Sequence, residues 1–492
     1  MSNRPLHDES PATAARPEPS ATWKRELPVR GTPPTVSMIS LGCPRTLVDS
    51  ELYLGRLKQL GFEVVDTVEQ SDVAMINTCS FIQESIKESI DTILQAVELK
   101  KQGKVKAVVV AGCLVQRFKQ ELVKELPDVD GFIGVDGFGD VETVVQRALD
   151  GEHPQSLRAR PQVPHRGAKV ARAALTPLHY AYLKVSEGCL KGCSFCVIPK
   201  IKGPLSSRPM EQVITEARQL VEERGVRELI VVGQDTSDYG VDLYGRPRIA
   251  ELLRALAKIE RVQWIRLLYC HPRGVSDELI RAIREESKVC KYLDMAIEHA
   301  DDLMLRRMNR GITQARLRER IQALREGVPG IALRTSIIVG FPGETDDAFE
   351  NLLGFLSEIQ FERLGAFRYS HEEGSASFRF PDVVPQTVAQ RRLDRLMKLQ
   401  QEIATAVNTR SIGRIYDVVI DEADPEDPEQ FVGRTSADCP EVDGVVFVRS
   451  CAPLKPGVVV SVQISDSYEY DLVGSALLPS QPVHTSAFVS VE

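Results

Sequence analysis

Residues 181–199 read AYLKVSEGCLKGCSFCVIP: an apolar, strand-like run, then a glycine-containing loop with Cys189, Cys193 and Cys196 in a Cys-x3-Cys-x2-Cys pattern. Cys193 and Cys196 have the close spacing that lets two thiolates wrap one metal centre, and Cys189 adds a third. A structural zinc site takes four ligands, yet the nearest downstream cysteine, Cys270, falls inside an apolar strand. Thiolates suit iron–sulfur clusters. Three of them on a four-iron cluster leave one iron open to a small molecule.

Strand and helix alternate onward from this loop. From Tyr180 to about Asn408 the strand-like runs are AYLKVSE, RELIVVGQD, WIRLLYCHP, YLDMAIEHA, ALRTSIIVG and RLGAFRYS, separated by helices such as MEQVITEARQLVEERG. Six or so β/α units in series predict a partial, TIM-like (β/α)6 barrel over residues 177–408. Active sites of such sheets lie at the carboxyl ends of the strands, which is where the cysteine loop falls.

Residues 35–150 alternate in the same way, through VSMISLG, LVDSELYLGRLKQLG, FEVVD, VAMINTCSF and AVVVAGCL. They predict a separate parallel α/β domain. Cys43, Cys79 and Cys113 each end a predicted strand, just before a helix. Those ends share one edge of a parallel sheet, so the three sulfurs can converge although distant in sequence. A lone strand-end cysteine is usually core; three in the same loop position argue for a second trio of thiolates with one open iron. Cys270, Cys290, Cys439 and Cys451 read as buried or incidental thiols.

The flanks are plainer. Residues 1–34 hold seven prolines and no hydrophobic periodicity, the pattern of a disordered tail. Residues 151–176 read as a linker which, after Glu152, carries Arg158, Arg160, Arg166, Lys169 and Arg172 and no acid. It is either a solvated connector or a basic strip near an anionic partner. Over 409–478 the period shortens to two, in RIYDVVID, EQFVGRTS, GVVFVRS and VVVSVQISDSYEYDLVGSAL, which predicts a small antiparallel β-barrel. Residues 479–492 look loose. The 492-residue chain is 43% hydrophobic and 26% charged, a soluble globular composition. No apolar run reaches membrane-helix length and no signal-like segment opens it, so a cytoplasmic protein with no membrane partner is expected. Cysteines there read better as metal or redox ligands than as disulfides. A net charge of −8 argues against a globally basic nucleic-acid binder.

Both cysteine sets, with GCPRTLVDSE, SEGCLKGCSFCVIP, GQDTSDYGVDLYG, WIRLLYCHP, CKYLDMAIEHADD, IIVGFPGET and RLGAFRYSHEEGS, resemble the radical S-adenosylmethionine (SAM) methylthiotransferases from about residue 36 to 478. The closer likeness is to the branch acting on a ribosomal protein. The resemblance implies three domains: an N-terminal methylthiotransferase domain, a radical SAM domain and a TRAM barrel. It implies two 4Fe-4S clusters, an auxiliary one on Cys43, Cys79 and Cys113 and a SAM-binding one on Cys189, Cys193 and Cys196. SAM would chelate the open iron through its amino and carboxylate groups and be cleaved to methionine and a deoxyadenosyl radical. A second SAM would methylate a sulfur on the auxiliary cluster, and an external electron donor is implied. The product would be a methylthio group on the β-carbon of an aspartate of small-subunit ribosomal protein uS12. No catalytic residue beyond the clusters is implied. Both clusters would have to face one cavity.

The resemblance also assigns SAM contacts. Gln234 and Asp235 end a strand where the amino group is held, and an acidic or polar side chain there accepts from an ammonium. The Ile338–Glu344 loop, with Gly340, Gly343 and Glu344, would lie against adenine. Glu298 and His299 end another strand and would face the cavity, though His299 reads equally well as a structural histidine. One departure stands out. Similar enzymes read Asp-Met/Ile-Pro-Leu-Gln-His where Asp294–His299 is DMAIEH. A glutamate cannot donate a hydrogen bond unless protonated, which leaves the role of position 298 open. The basic run Lys200–Arg208 is also interrupted by Ser206 and Ser207.

The close rival is the sister branch that modifies an adenosine of transfer RNA. Between Ser411 and Leu478 four residues are basic and thirteen acidic, a net of −9. A barrel gripping RNA should be positive; one gripping a basic ribosomal protein should be negative. Without the six acids of the Asp421–Glu429 loop the net is still −3. Nucleic acid is therefore not expected as the modified substrate. A non-catalytic iron–sulfur carrier would need the clusters but not GQD or IIVGFPGE, so an enzyme is favoured.

Overall fold

A computed structural model describes residues 33–158 and 171–477. Most of the N-terminal tail, the middle of the linker with Arg160, Arg166 and Lys169, and the C-terminal tail lie outside the described residues.

The first sheet is wholly parallel. Its strands are β1 (Thr35–Ser40), β2 (Glu63–Val64), β3 (Val73–Thr78), β4 (Ala107–Gly112), β5 (Gly131–Ile133) and β6 (Gln155–Ser156), in the order β2-β1-β3-β4-β5-β6. VAMINT and AVVVAG are buried along their whole length. That is the signature of central parallel strands covered on both faces. Val109 and Met75 face one apolar layer, Val110 and Ile76 the other. β6 lies in the segment read as linker, and its Ser156 pairs with Ile133. The two linker arginines that are described are engaged with acids of the same chain: Arg158 with Asp140, and Arg172 with Glu51 and Glu216.

β7 (Tyr180–Lys184), β10 (Glu228–Val232), β11 (Trp264–Leu267), β12 (Tyr292–Asp294), β13 (Ala332–Val339) and β14 (Arg363–Arg368) form the second unit. They make two parallel three-stranded sheets, β11-β10-β7 and β12-β13-β14. Parallel bridges Ile265–Val289 and Cys270–Met295 join β11 to β12. The result is the expected six-strand partial barrel. A short antiparallel pair, β8 (Ser186–Glu187) with β9 (Ser206–Ser207), brackets the cysteine loop. The first domain spans the open side: Val48 and Leu52 pack against Tyr180 and Tyr182 of β7, while Arg117 and Gln83 bond Glu372 just past β14.

The C-terminal barrel is closed in the order β15-β16-β17-β19-β18, from β15 (Ile415–Ala423), β16 (Gln430–Thr435), β17 (Val446–Arg449), β18 (Val459–Ser467) and β19 (Leu472–Ala476). It is antiparallel except at closure, where β17 and β19 run parallel. This barrel caps the amino ends of the β7–β14 strands, opposite the cysteine loop. Glu228, at the start of β10, receives Arg266 Nε at 2.9 Å and faces Arg434 Nη1 of β16 at 2.5 Å. Asp438 pairs with Arg363, Asp443 with Arg334 and the Tyr292 hydroxyl, and Asp421 with His179. These acids are turned toward the strands, and Glu441, though exposed, accepts from the Tyr180 hydroxyl. The outward acidity of the barrel is therefore smaller than its sequence charge.

Burial works against the Glu228 charge, but Arg434 and Arg266 hold its carboxyl below the usual range. Glu228→Ala leaves the buried Arg266 without its carboxylate and Arg434 with Asp421 alone. The expected cost is about 3–5 kcal/mol, read as a lower denaturant midpoint; an unchanged midpoint would show that the barrel docks without this ion cluster.

Candidate functional site

Cys43 caps the helix Pro44–Gln59, Cys79 follows β3, and Cys113 opens the helix Cys113–Phe118 after β4. Register aligns these ends: Ser40 pairs with Asn77, and Thr78 with Gly112. Two glycines let them close up. Gly42 has φ +90°, and a Cβ there would sit 2.7 Å from Cys79 Cβ. Gly112 has φ +99°, and its Cβ would meet Asn77 Oδ1 at 2.4 Å. Both conformations favour glycine. The three thiols sense one another electrostatically. Burial, with Cys79 and Cys43 nearby, pushes Cys113 up to about 12 although Lys202 opposes the shift. Burial would raise Cys43 too, but Arg45 brings it down to about 7.

Cys189, Cys193 and Cys196 line a cavity of about 220 Å³ with Gln234, Asp235, Tyr269, His271, Glu298 and Arg310. Backbone N–H groups of Lys191 and Ile198 donate to the sulfurs of Cys189 (3.3 Å) and Cys196 (3.4 Å), and Arg310 Nη1 donates to Cys193 (3.0 Å). Burial pushes Cys189 up to about 11 and Cys196 up to about 12. Among the described residues no three His, Cys, Asp or Glu side chains are gathered to hold a single metal ion. Thiolates hold an iron–sulfur cluster at its iron corners, one to each iron. The donors fit: each set is three sulfurs.

Two connections tie the trios together. Arg45 Nε donates to Cys43 Sγ (3.3 Å) and its Nη1 to Gly233 O (3.0 Å). Its guanidinium lies 4.4 Å over the Tyr269 ring, so Arg45 forms part of the cavity wall, as does Phe81. The helix Ile198–Lys202 starts two residues after Cys196, and its Ile201 packs with Cys113.

Gln234 Nε2 donates to Glu187 Oε1 at 2.5 Å, leaving Gln234 Oε1 buried and unbonded. Asp235 Oδ1 accepts from Ser237 N (3.0 Å), Ser237 Oγ (2.5 Å) and His271 N (3.2 Å). Its Oδ2 has no hydrogen bond, with Lys191 Nζ 3.5 Å away. Both side chains line the cavity, and neither Gln234 Oε1 nor Asp235 Oδ2 is hydrogen-bonded. Glu298, at φ +69°, lies on the wall, and burial pushes its carboxyl up to about 7 against Arg310. Protonated, it presents a donor as the family glutamine would.

The adenine-loop residues are placed differently from expectation. Gly340 and Glu344 are not among the cavity walls. Glu344 Oε2 accepts from Gly340 N (2.5 Å) and Arg392 Nη1 (2.7 Å), and its Oε1 faces His299 Nε2 at 3.2 Å. The carboxylate braces its own loop. His299 Nδ1 accepts from Asp301 N at 3.0 Å, so this histidine is structural. Gly340 has φ +76°, and a Cβ there would strike Ala389 Cβ at 2.5 Å, so backbone conformation and helix packing both require that glycine. Arg45, Tyr269, His271 and Arg310 were missed from sequence. Only Arg45, two residues after Cys43, carried any local hint.

Residues 183–356 match the Radical SAM superfamily, residues 35–134 an uncharacterized protein family, UPF0004, and residues 412–477 the TRAM domain. The protein is thus a radical SAM enzyme, with SAM and 4Fe-4S clusters as cofactors. The chain is 41% identical over 442 residues to the ribosomal protein uS12 methylthiotransferase RimO of Clostridioides difficile (strain 630), covering 90% of this chain and 98% of that protein. Against the RimO of Geobacter sulfurreducens it is 43% identical over 444 residues, with 90% and 98% covered. The chain belongs to the RimO family of radical SAM methylthiotransferases. Among solved structures, the radical SAM methyltransferase TsrM of Kitasatospora setae, with tryptophan substrate and a SAM analogue bound, superposes with TM-score 0.52 at 14% identity. It covers 68% of this chain and 72% of its own, a likeness of fold. No helix among the described residues is long and apolar enough to cross a membrane.

Proposed function

We propose that this enzyme places a methylthio group on the β-carbon of an aspartate of ribosomal protein uS12, with one 4Fe-4S cluster on each cysteine trio. The observation that carries the two-cluster reading is Arg45, which touches a sulfur of the first trio and walls the cavity of the second. Cys189, Cys193 and Cys196 would hold the cluster that supplies the electron for cleaving SAM, and Cys43, Cys79 and Cys113 would hold the cluster that carries the sulfur to be transferred. The chain's own residues do the placement. Gln234 Oε1 and Asp235 Oδ2 accept from the SAM ammonium, and Glu298 offers its carboxyl on the same wall. Tyr269 and Phe81 wall the same cavity beside Arg45. The roles divide over residues 35–150, 177–408 and 409–478. Electrons come from an external donor, and the reaction belongs in the cytoplasm, where uS12 is made.

The substrate rests on the 41–43% identity to enzymes named for uS12. Barrel charge supports it less than the sequence count suggests, since part of that charge faces inward and the barrel sits at the far end of the strands. The test is mass spectrometry of uS12 from cells with and without this gene. The expected result is one methylthio group on one aspartate, present only with the gene. Unmodified uS12 in both, with a gene-dependent methylthioadenosine in transfer RNA, would transfer the assignment to the sister activity.

A further inference from the structure

We infer that a second groove, beside the cysteine cavity, binds ribosomal RNA phosphates, so that uS12 is modified within an assembled or assembling small subunit. This rests on the uS12 reading above and specifies the form in which that substrate is taken.

The groove holds about 710 Å³ and carries four arginines, Arg273, Arg306, Arg316 and Arg320, against two acids, Asp277 and Asp302. The acids are committed. Asp277 Oδ1 accepts from Arg320 at 2.8 Å, and Asp302 Oδ1 from Gln314 N at 2.6 Å. Arg316 leans on Glu319. Arg273 and Arg306 are exposed and have no side-chain hydrogen bond or ion pair among the described residues. Arg273 lies across Gly311, where an added Cβ would fall 2.7 Å from its Nη1. The helices Asp277–Glu285 and Gln314–Gly327 both begin at the groove, capped by Ser276 and Thr313. Their dipoles add positive potential to the free guanidiniums.

Position and lining choose the ligand. Pro272 follows His271 and Gly311 follows Arg310, and both His271 and Arg310 wall the cysteine cavity. An anion in the groove therefore lies next to the reacting end of the barrel. No aromatic ring lines it, so it has no platform for a base, and arginines alone read backbone phosphate without sequence. A free basic protein would be repelled here, whereas the same protein embedded in its RNA presents phosphates alongside. The basic groove sits at the carboxyl ends of the strands and the acidic barrel at the amino ends.

The test uses the reconstituted full-length enzyme, purified small subunits and free uS12, with affinity measured against salt. Arg273→Gln with Arg306→Gln is expected to weaken subunit binding about tenfold and to flatten the log–log salt slope by about 1–2. Binding of free uS12 and reductive cleavage of SAM stay unchanged. Arg273→Lys with Arg306→Lys keeps the charge and most of the affinity. Unchanged subunit affinity and slope in the Gln variant would overturn the inference. So would transfer RNA binding as tightly as subunits and losing as much in the variant. Failure of the wild type to modify uS12 in any form would sink the substrate reading on a separate readout, leaving the salt slope to judge the groove.

Discussion

A chain carrying Cys189→Ala, Cys193→Ala and Cys196→Ala forms no deoxyadenosine from SAM under reducing conditions, and its iron content falls by about half on the two-cluster reading. The loss is complete because no other thiol can stand in. Cys270 reaches the same cavity, but it lies just past the end of β11, outside the loop, with its sulfur buried beside Thr236 Oγ1 at 3.3 Å. The fold survives the substitutions. The loop is held by other contacts: Asn309 Nδ2 donates to Gly192 O at 2.7 Å, and Ser194 N to Met308 O at 3.0 Å. An unchanged thermal midpoint alongside the lost cleavage separates chemistry from unfolding. Deoxyadenosine persisting in the triple variant would end the assignment of this trio.

The parallel units and the places of the six cysteines were legible because each depends on local pattern. Val73–Thr78 and Ala107–Gly112 are short, unbroken runs of residues suited to burial, and a cysteine directly after such a run falls at the strand's carboxyl end. What pattern cannot carry is the partner of a polar side chain distant in sequence. Glu344 looked like a ligand contact in IIVGFPGE, but Arg392, 48 residues on, fixes it to its own loop. Arg45 looked like any arginine at the start of a helix, although it bonds a carbonyl 188 residues away. The barrel acids read as surface because alternation gives the face of a strand, not what docks on it; Asp438 and Asp443 lie between strands, in a segment with no periodicity to read. The parallel closure of β17 on β19 was hidden for the same reason: period two is common to both pairings.

The substitutions Cys43→Ala, Cys79→Ala and Cys113→Ala are expected to abolish methylthio transfer while SAM is still cleaved. The groups proposed to hold SAM, Gln234, Asp235 and Glu298, lie in the barrel between residues 177 and 408, as do Arg310 and all three cysteines of the second trio. The first domain touches the barrel around this set at Gly233, next to Gln234, through Arg45, and at Lys184 and Lys202 through Asp49, contacts that the cysteine substitutions leave in place. Arg45 is the polar side chain that crosses from that domain into the cavity wall, and without Cys43 it keeps the Gly233 carbonyl and the Tyr269 ring. Deoxyadenosine therefore accumulates without methylthiolated uS12, and iron falls by about half. Each single substitution has the same direction, because two thiolates hold a cluster less securely than three; Cys113→Ala is the best tolerated by the fold, since Val135, Val197 and Ile201 close around it. Loss of SAM cleavage in a folded triple variant would mean that the trios do not divide the chemistry. Retained methylthio transfer would mean that the transferred sulfur never resides on the first trio at all.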